Sequence, residues 1–205
     1  MNEKPIDINQ RIPLEILHAV LESYLTGSYS EDYILEQLRL HIKGDNRLEK
    51  SLRIVKKVVY NNPLSGFLKE NKDQILQAIK KRDDRNLILV ALLNTAFTFS
   101  FNVALILGRL FKVQDEVSRE ALTRQLSRIY GGNRSLPNAV DSIIPMFLEA
   151  GLFTRPSTGL YKWTGGLQVT SPVTNQIFVE SFRINNSLDK VPEYQLTDPY
   201  FLFLM

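Results

Sequence analysis

Asn133, Arg134, Ser135 and Asn138 fall within one short stretch directly after Gly131-Gly132. Thr154, Arg155, Ser157, Thr158 and Lys162 follow a few turns later. Guanidinium, ammonium, amide and hydroxyl groups are the donors that phosphate oxygens and base edges accept. From Arg109 to Lys162 eight basic residues stand against five acidic ones, which accounts for the whole formal charge of +3. Phosphate neutralisation supplies most non-specific affinity for nucleic acid, so the place of that surplus matters. The sequence pI of about 9.0 permits an anionic partner without requiring one.

Other chemistries find little to work with. With no cysteine there is no disulfide, thiolate nucleophile or cysteine metal site. Only His18 and His41 are available as imidazoles. His18 lies beside an apolar helical stripe, and His41 sits near Gly44 at a helix end, where a cation is favoured in any case. Asp83-Asp84 is a carboxylate pair without the partners that acid–base or metal chemistry needs. Gly131-Gly132 is followed by no Lys-Ser/Thr and preceded by no expected strand, so it does not match a phosphate loop. The expectation is a protein that is not an enzyme, with no cofactor and no metal.

The elements that must position the polar groups are legible in outline. Ser118 or Asp115 caps a helix that runs to Tyr130, with Ala121, Leu122, Leu126 and Ile129 inward. A second helix starts at Ser135 and stops at Gly151. Leu152–Arg155 and Leu160–Trp163 alternate as two short strands around a four-residue Pro156–Gly159 loop. Helix, tight turn, helix and hairpin is the order of a winged helix-turn-helix. In that arrangement Arg134, Ser135, Asn138 and the adjacent Asn133 meet the groove, while Arg124, Arg128, Arg155 and Lys162 hold phosphates. Two residues oppose the reading. Asp141 would repel phosphate unless it accepts from a cytosine amino group, and Pro145 should bend or divide the second helix, at a cost of about 3 kcal/mol.

Residues 1–112 read as a helical bundle, with apolar residues at three- and four-residue steps and stops at Gly27 and Gly44. One of its helices, from Asn46 to about Tyr60, carries Arg47, Lys50, Arg53, Lys56 and Lys57 as a secondary basic face. The bland reading of that face is solvation; the sharper one is a phosphate-tracking stripe. Lys80–Arg85, mixed in sign, reads as a solvated turn. Leu87–Leu107 has no charge and is long enough to span a bilayer. Its Asn94, Thr95, Thr98, Ser100 and Asn102 favour instead two buried helices broken near the middle.

The expected fold class is mainly α: a helical bundle over 1–112, a winged-helix-like module with a short β-hairpin over 113–165, and a C-terminal helix with an apolar tail packing on the core over 166–205. MNEKPIDINQRIP lacks the layout of a signal peptide, and the cytoplasm is the expected location, with no membrane association.

The layout as a whole resembles the BrxA family, small helical components of the BREX phage-exclusion systems. The resemblance rests on LESYLTGSYSEDYILEQL, NRLEKSLRIVKKV, KKRDDRN, the apolar pair and SLPNAVDSIIPMFLEAGLF, over roughly residues 14–153. It implies a non-enzymatic bacterial defence protein that binds double-stranded DNA and acts with larger protein partners. The hairpin and the residues after Trp163 have no counterpart in it. The competing expectation is a protein–protein adaptor that docks a larger partner through the winged surface and the apolar tail. The sequence does not set the oligomeric state.

Overall fold

Several helix ends fall where the sequence supplies caps or glycine stops in the computed structural model, which describes residues 5–204. Helix α1 (Leu14–Thr26) follows Pro13 and closes on Gly27, whose φ of 81° brings its N–H to the Ser23 and Tyr24 carbonyls. The Ser30 hydroxyl accepts from the Tyr33 N–H and opens α2 (Glu31–Arg39). Helix α3 (Asp45–Val55) continues through a π turn at Lys56–Tyr60. Short helices α4 (Ser65–Glu70) and α5 (Lys72–Ala78) lead to α6 (Arg82–Ala96) and α7 (Thr98–Phe111).

The uncharged stretch Leu87–Leu107 is therefore two helices, parted at the extended Phe97. Among the described residues no helix is long and apolar enough to cross a membrane. The buried polar groups in this stretch, on Asn94, Thr95, Ser100 and Asn102, are satisfied inside the core. Asn94 donates to the Tyr200 hydroxyl at 3.0 Å, the Ser100 hydroxyl donates to Asn94 Oδ1 at 2.6 Å, and Asn102 donates to the Tyr130 hydroxyl at 2.7 Å. Phe97 cannot cap α7, so the Asp7 carboxylate accepts from the Thr98 and Phe99 N–H groups instead.

The expected solvated turn at Lys80–Arg85 is confined to Lys80 and Lys81, which are exposed. Helix α6 starts at Arg82, and Asp84 is fully buried. Its carboxylate accepts from the Thr170 N–H and hydroxyl, the Ser171 N–H and the Thr174 hydroxyl, at 2.7–3.2 Å. Burial pushes the Asp84 carboxyl up, but these four bonds outweigh it and hold the group below the usual carboxylate range. Asp83 accepts from the Gln168 N–H at 2.9 Å. The two aspartates thus pin the entry to α10 (Pro172–Asn185), which packs along α6. Their partners lie more than eighty positions away in the chain, so no local pattern reveals them.

After α7 come β1 (Glu116–Ser118), α8 (Arg119–Tyr130), α9 (Leu136–Ala150), β2 (Thr154–Ser157) and β3 (Leu160–Lys162). The strands form one antiparallel sheet in the order β1-β3-β2, with Glu116 opposite Lys162 and Ser157 opposite Leu160. Strand β1 was not expected, because three residues are too few to display an alternation. The hairpin also turns more tightly than expected. Pro156 and Ser157 belong to β2, an edge strand where a missing N–H is tolerated. Only Thr158 and Gly159 remain between the strands, Gly159 at φ 77°. Pro145 does not divide α9, which is continuous from Leu136 to Ala150. Burial of Ile143, Ile144, Met146 and Phe147 around it offsets the one backbone bond that proline removes.

One apolar core runs across the position where the sequence changes character near residue 112. Helix α7 packs on α8, α9 and β1. Phe111 lies 5.8 Å from both Phe153 and Trp163, and Trp163 lies 5.6 Å from Phe203 (ring centroids). The apolar tail forms a 3-10 turn at Pro199–Leu204 against α7, with Tyr200, Phe201, Leu202 and Phe203 buried. Tyr200 stacks on Phe178 at 4.4 Å, and burial raises its phenol far above the usual range. Gly108 permits this docking, since a Cβ there would lie 2.1 Å from the Pro199 carbonyl oxygen.

Candidate nucleic-acid interface

Helix α9 is set up by the turn before it. Gly131 takes φ 61°, and the Asn133 side-chain oxygen accepts from the Ser135 N–H at 2.9 Å. Asn133 is thereby a turn-closing residue. Ser135 occupies the cap position, but its hydroxyl makes no capping bond. Leu136, Ala139, Val140 and Ile143 turn inward, leaving Arg134, Ser135, Asn138 and Asp141 exposed along the first two turns. The second half of α9 is covered. There the Glu149 carboxylate accepts from the Leu14 N–H at 3.0 Å and pairs with Arg11. Only the N-terminal half of α9 is open to a ligand.

That open half forms one wall of a cleft of about 820 Å³. Asn138, Asp141 and Ser142 line it from α9; Arg47 and Lys50 line it from α3; Arg11, His41 and Lys43 lie between. Gln10 shapes the floor, donating to the Arg47 carbonyl at 3.1 Å and to the Ser51 hydroxyl. The structure thus brings the open half of α9 against a basic segment of α3 some ninety residues away in sequence.

Asp141 is neutralised where it stands. Arg119 Nη2, at the start of α8, lies 2.7 Å from Asp141 Oδ1. The hairpin borders the same place. Burial raises the Tyr161 phenol, Arg119 and Arg155 pull it down, and Asp141 pushes it up, so all three charges surround one ring. Arg155 has no carboxylate partner among the described residues.

The remaining cations divide. Lys162 faces Glu116 across the sheet, 3.5 Å away. Arg124 and Arg128 follow Arg119 by five and nine positions, placing them about 140° and 180° round the α8 axis from it. They stand exposed on the solvent side and line no part of the cleft, and Arg128 donates to Gln125. On α3 and its π turn, Arg53 pairs with Glu49 at 3.4 Å and Lys56 with Glu31 at 2.7 Å. The Glu31 hydrogen bond raises the Lys56 ammonium. Lys57 lies 4.0 Å from Asp7 and sits over the Phe97 ring at 4.4 Å. Arg47 and Lys50 are the members of that basic face without a carboxylate partner among the described residues, and they are the two that line the cleft.

Arg11, His41, Lys43 and Arg119 escaped sequence reasoning. The fold brings Arg11, His41 and Lys43 to the cleft lining and sets Arg119 against Asp141. Among the described residues no group of three or more histidines and carboxylates is placed to hold a metal ion. No family model, curated protein or solved structure matches the chain.

Proposed function

We propose that the chain binds double-stranded DNA without catalysing a reaction, using the open half of α9 together with the cationic cleft beside it. The observation that carries this reading is the meeting of Asn138, on α9, with Arg47 and Lys50, on α3, across one cleft whose Asp141 is already paired with Arg119. Ligand oxygens entering there meet an amide and the Arg47 and Lys50 cations, which have no carboxylate partner among the described residues, rather than a free carboxylate. The order β1-α8-α9-β2-β3, with β1 hydrogen-bonded to the second strand of the hairpin, supports reading the segment as a winged helix. In such a module α9 is the helix offered to the groove, and Arg134, Ser135 and Asn138 are its exposed leading residues. Arg155, beside Tyr161, is then the phosphate contact of the hairpin. Burial of the tail aromatics takes away one of the two surfaces that an adaptor would need. A place in bacterial phage defence, beside larger partners, follows only from the BrxA-like layout and forms part of this proposal.

A gel-shift titration at two salt concentrations tests the reading. Retardation of a duplex, with affinity falling steeply as salt rises, is the expected result. No retardation at micromolar protein overturns it.

A further inference from the structure

A second cleft of about 450 Å³ continues the first, sharing Arg11, Pro13 and His41 with it. Its far wall is the start of α6, with Arg82, Arg85 and Asn86, and His18 of α1 lies between. The charges in this trough are not balanced. Two of the three carboxylates lining the clefts are paired with arginines, Glu149 with Arg11 and Asp141 with Arg119, while the exposed Glu15 lies 3.3 Å from the His41 imidazole. Lys43, Arg47, Lys50, Arg82 and Arg85 have no carboxylate partner among the described residues. Burial and Arg85 together push the His18 imidazole down despite Glu22, as expected where positive charge prevails. Such an arrangement suits a ligand that carries several negative charges in a row, since a single anion would engage only one end of it.

We propose that Arg82 and Arg85 hold a further stretch of phosphodiester backbone, so that the bound nucleic acid runs from the hairpin past α9 and α3 to the beginning of α6. The inference rests on the DNA-binding reading above and extends its footprint to two arginines of the run that the sequence reads as a solvated turn. Arginine suits this role because its planar fork can bind two phosphate oxygens at once.

The test measures duplex affinity across a salt series for the full-length chain and three variants. Arg82→Gln/Arg85→Gln should reduce the slope of log affinity against log salt by about two, one for each phosphate released. Arg82→Lys/Arg85→Lys, which keeps the charge, should restore most of the slope. Lys69→Gln/Lys72→Gln removes the same charge from α4 and α5, outside both clefts, and should leave the slope near that of the parent. A parent that binds DNA with the same slope as the glutamine variant overturns this inference alone. So does a lysine 69/72 variant that loses as much slope, because general charge would then explain the effect. A parent that binds no DNA overturns the DNA-binding reading itself, and this inference with it. A thermal melt of each variant separates lost contacts from lost folding.

Discussion

Arg119 and Asp141 join the first turn of α8 to the middle of the open half of α9, Nη2 to Oδ1 at 2.7 Å. The pair changes what α9 presents. Alone, a carboxylate in the second turn of a helix that faces a polyanion repels it; paired, its charge is balanced by the Arg119 guanidinium. Both side chains are substantially exposed, so the bridge contributes little to stability, about 0–1 kcal/mol. Its value lies in the electrostatics of the cleft.

Arg119→Ala should therefore weaken duplex binding by releasing the Asp141 charge, with little change in melting temperature. Asp141→Asn in the same chain should return most of the lost affinity. A double-mutant cycle by gel shift reads the coupling, and additive losses would show that Arg119 acts only as another cation.

The α3 face should split functionally as it splits structurally. Arg47→Ala/Lys50→Ala is expected to lower the salt slope by about two. Arg53→Ala/Lys56→Ala, which removes cations already paired with Glu49 and Glu31, should change it by much less. Equal slopes for the two variants, measured over one salt series, would contradict the role given to the cleft.

Asp84 predicts a pH dependence of stability. Its carboxyl titrates below the ordinary value of 3.8, so its contribution is fully present above that value and is lost as pH falls through the lower folded one. Asp84→Asn should destabilise the protein by about 1–3 kcal/mol at neutral pH, since bonds to a charged acceptor are lost in a buried place. The gap between parent and variant should narrow on acidification below about pH 4, where the parent loses the charge that sets it apart. Thermal melts from pH 7 to pH 3 check both statements.

Gly108→Ala should loosen the tail. The added methyl would lie 2.1 Å from the Pro199 carbonyl oxygen, and backbone cannot yield as a side-chain tip does. A loss of about 1–3 kcal/mol is expected, the usual penalty of overpacking. Hydrogen exchange should localise it to residues 199–204, and unchanged protection there would disprove the close contact.

Much of the helical framework is legible in the chain because helix ends depend on neighbours. Ser30 and Ser118 cap, Gly27 and Gly151 stop, and the polar residues around Ser100 mark a break between apolar helices. What the chain hides depends on distance. Strand β1 exists only because β3 returns to pair with it. Asp84 looks like a surface charge until Thr170, Ser171 and Thr174 arrive to bind it. The cleft is hidden for the same reason: Arg47 and Asn138 each carry a weak local signal, and their joint meaning appears only when Gln10 fastens the N-terminal segment to α3 between them.

Trp163 is the sole tryptophan of the chain, set between Phe111 of α7 and Phe203 of the tail. The protein therefore carries a built-in optical gauge. Excitation at the red edge of indole absorbance addresses a single emitter, whose colour and intensity register water entry at the seam where hairpin, helix and chain end meet.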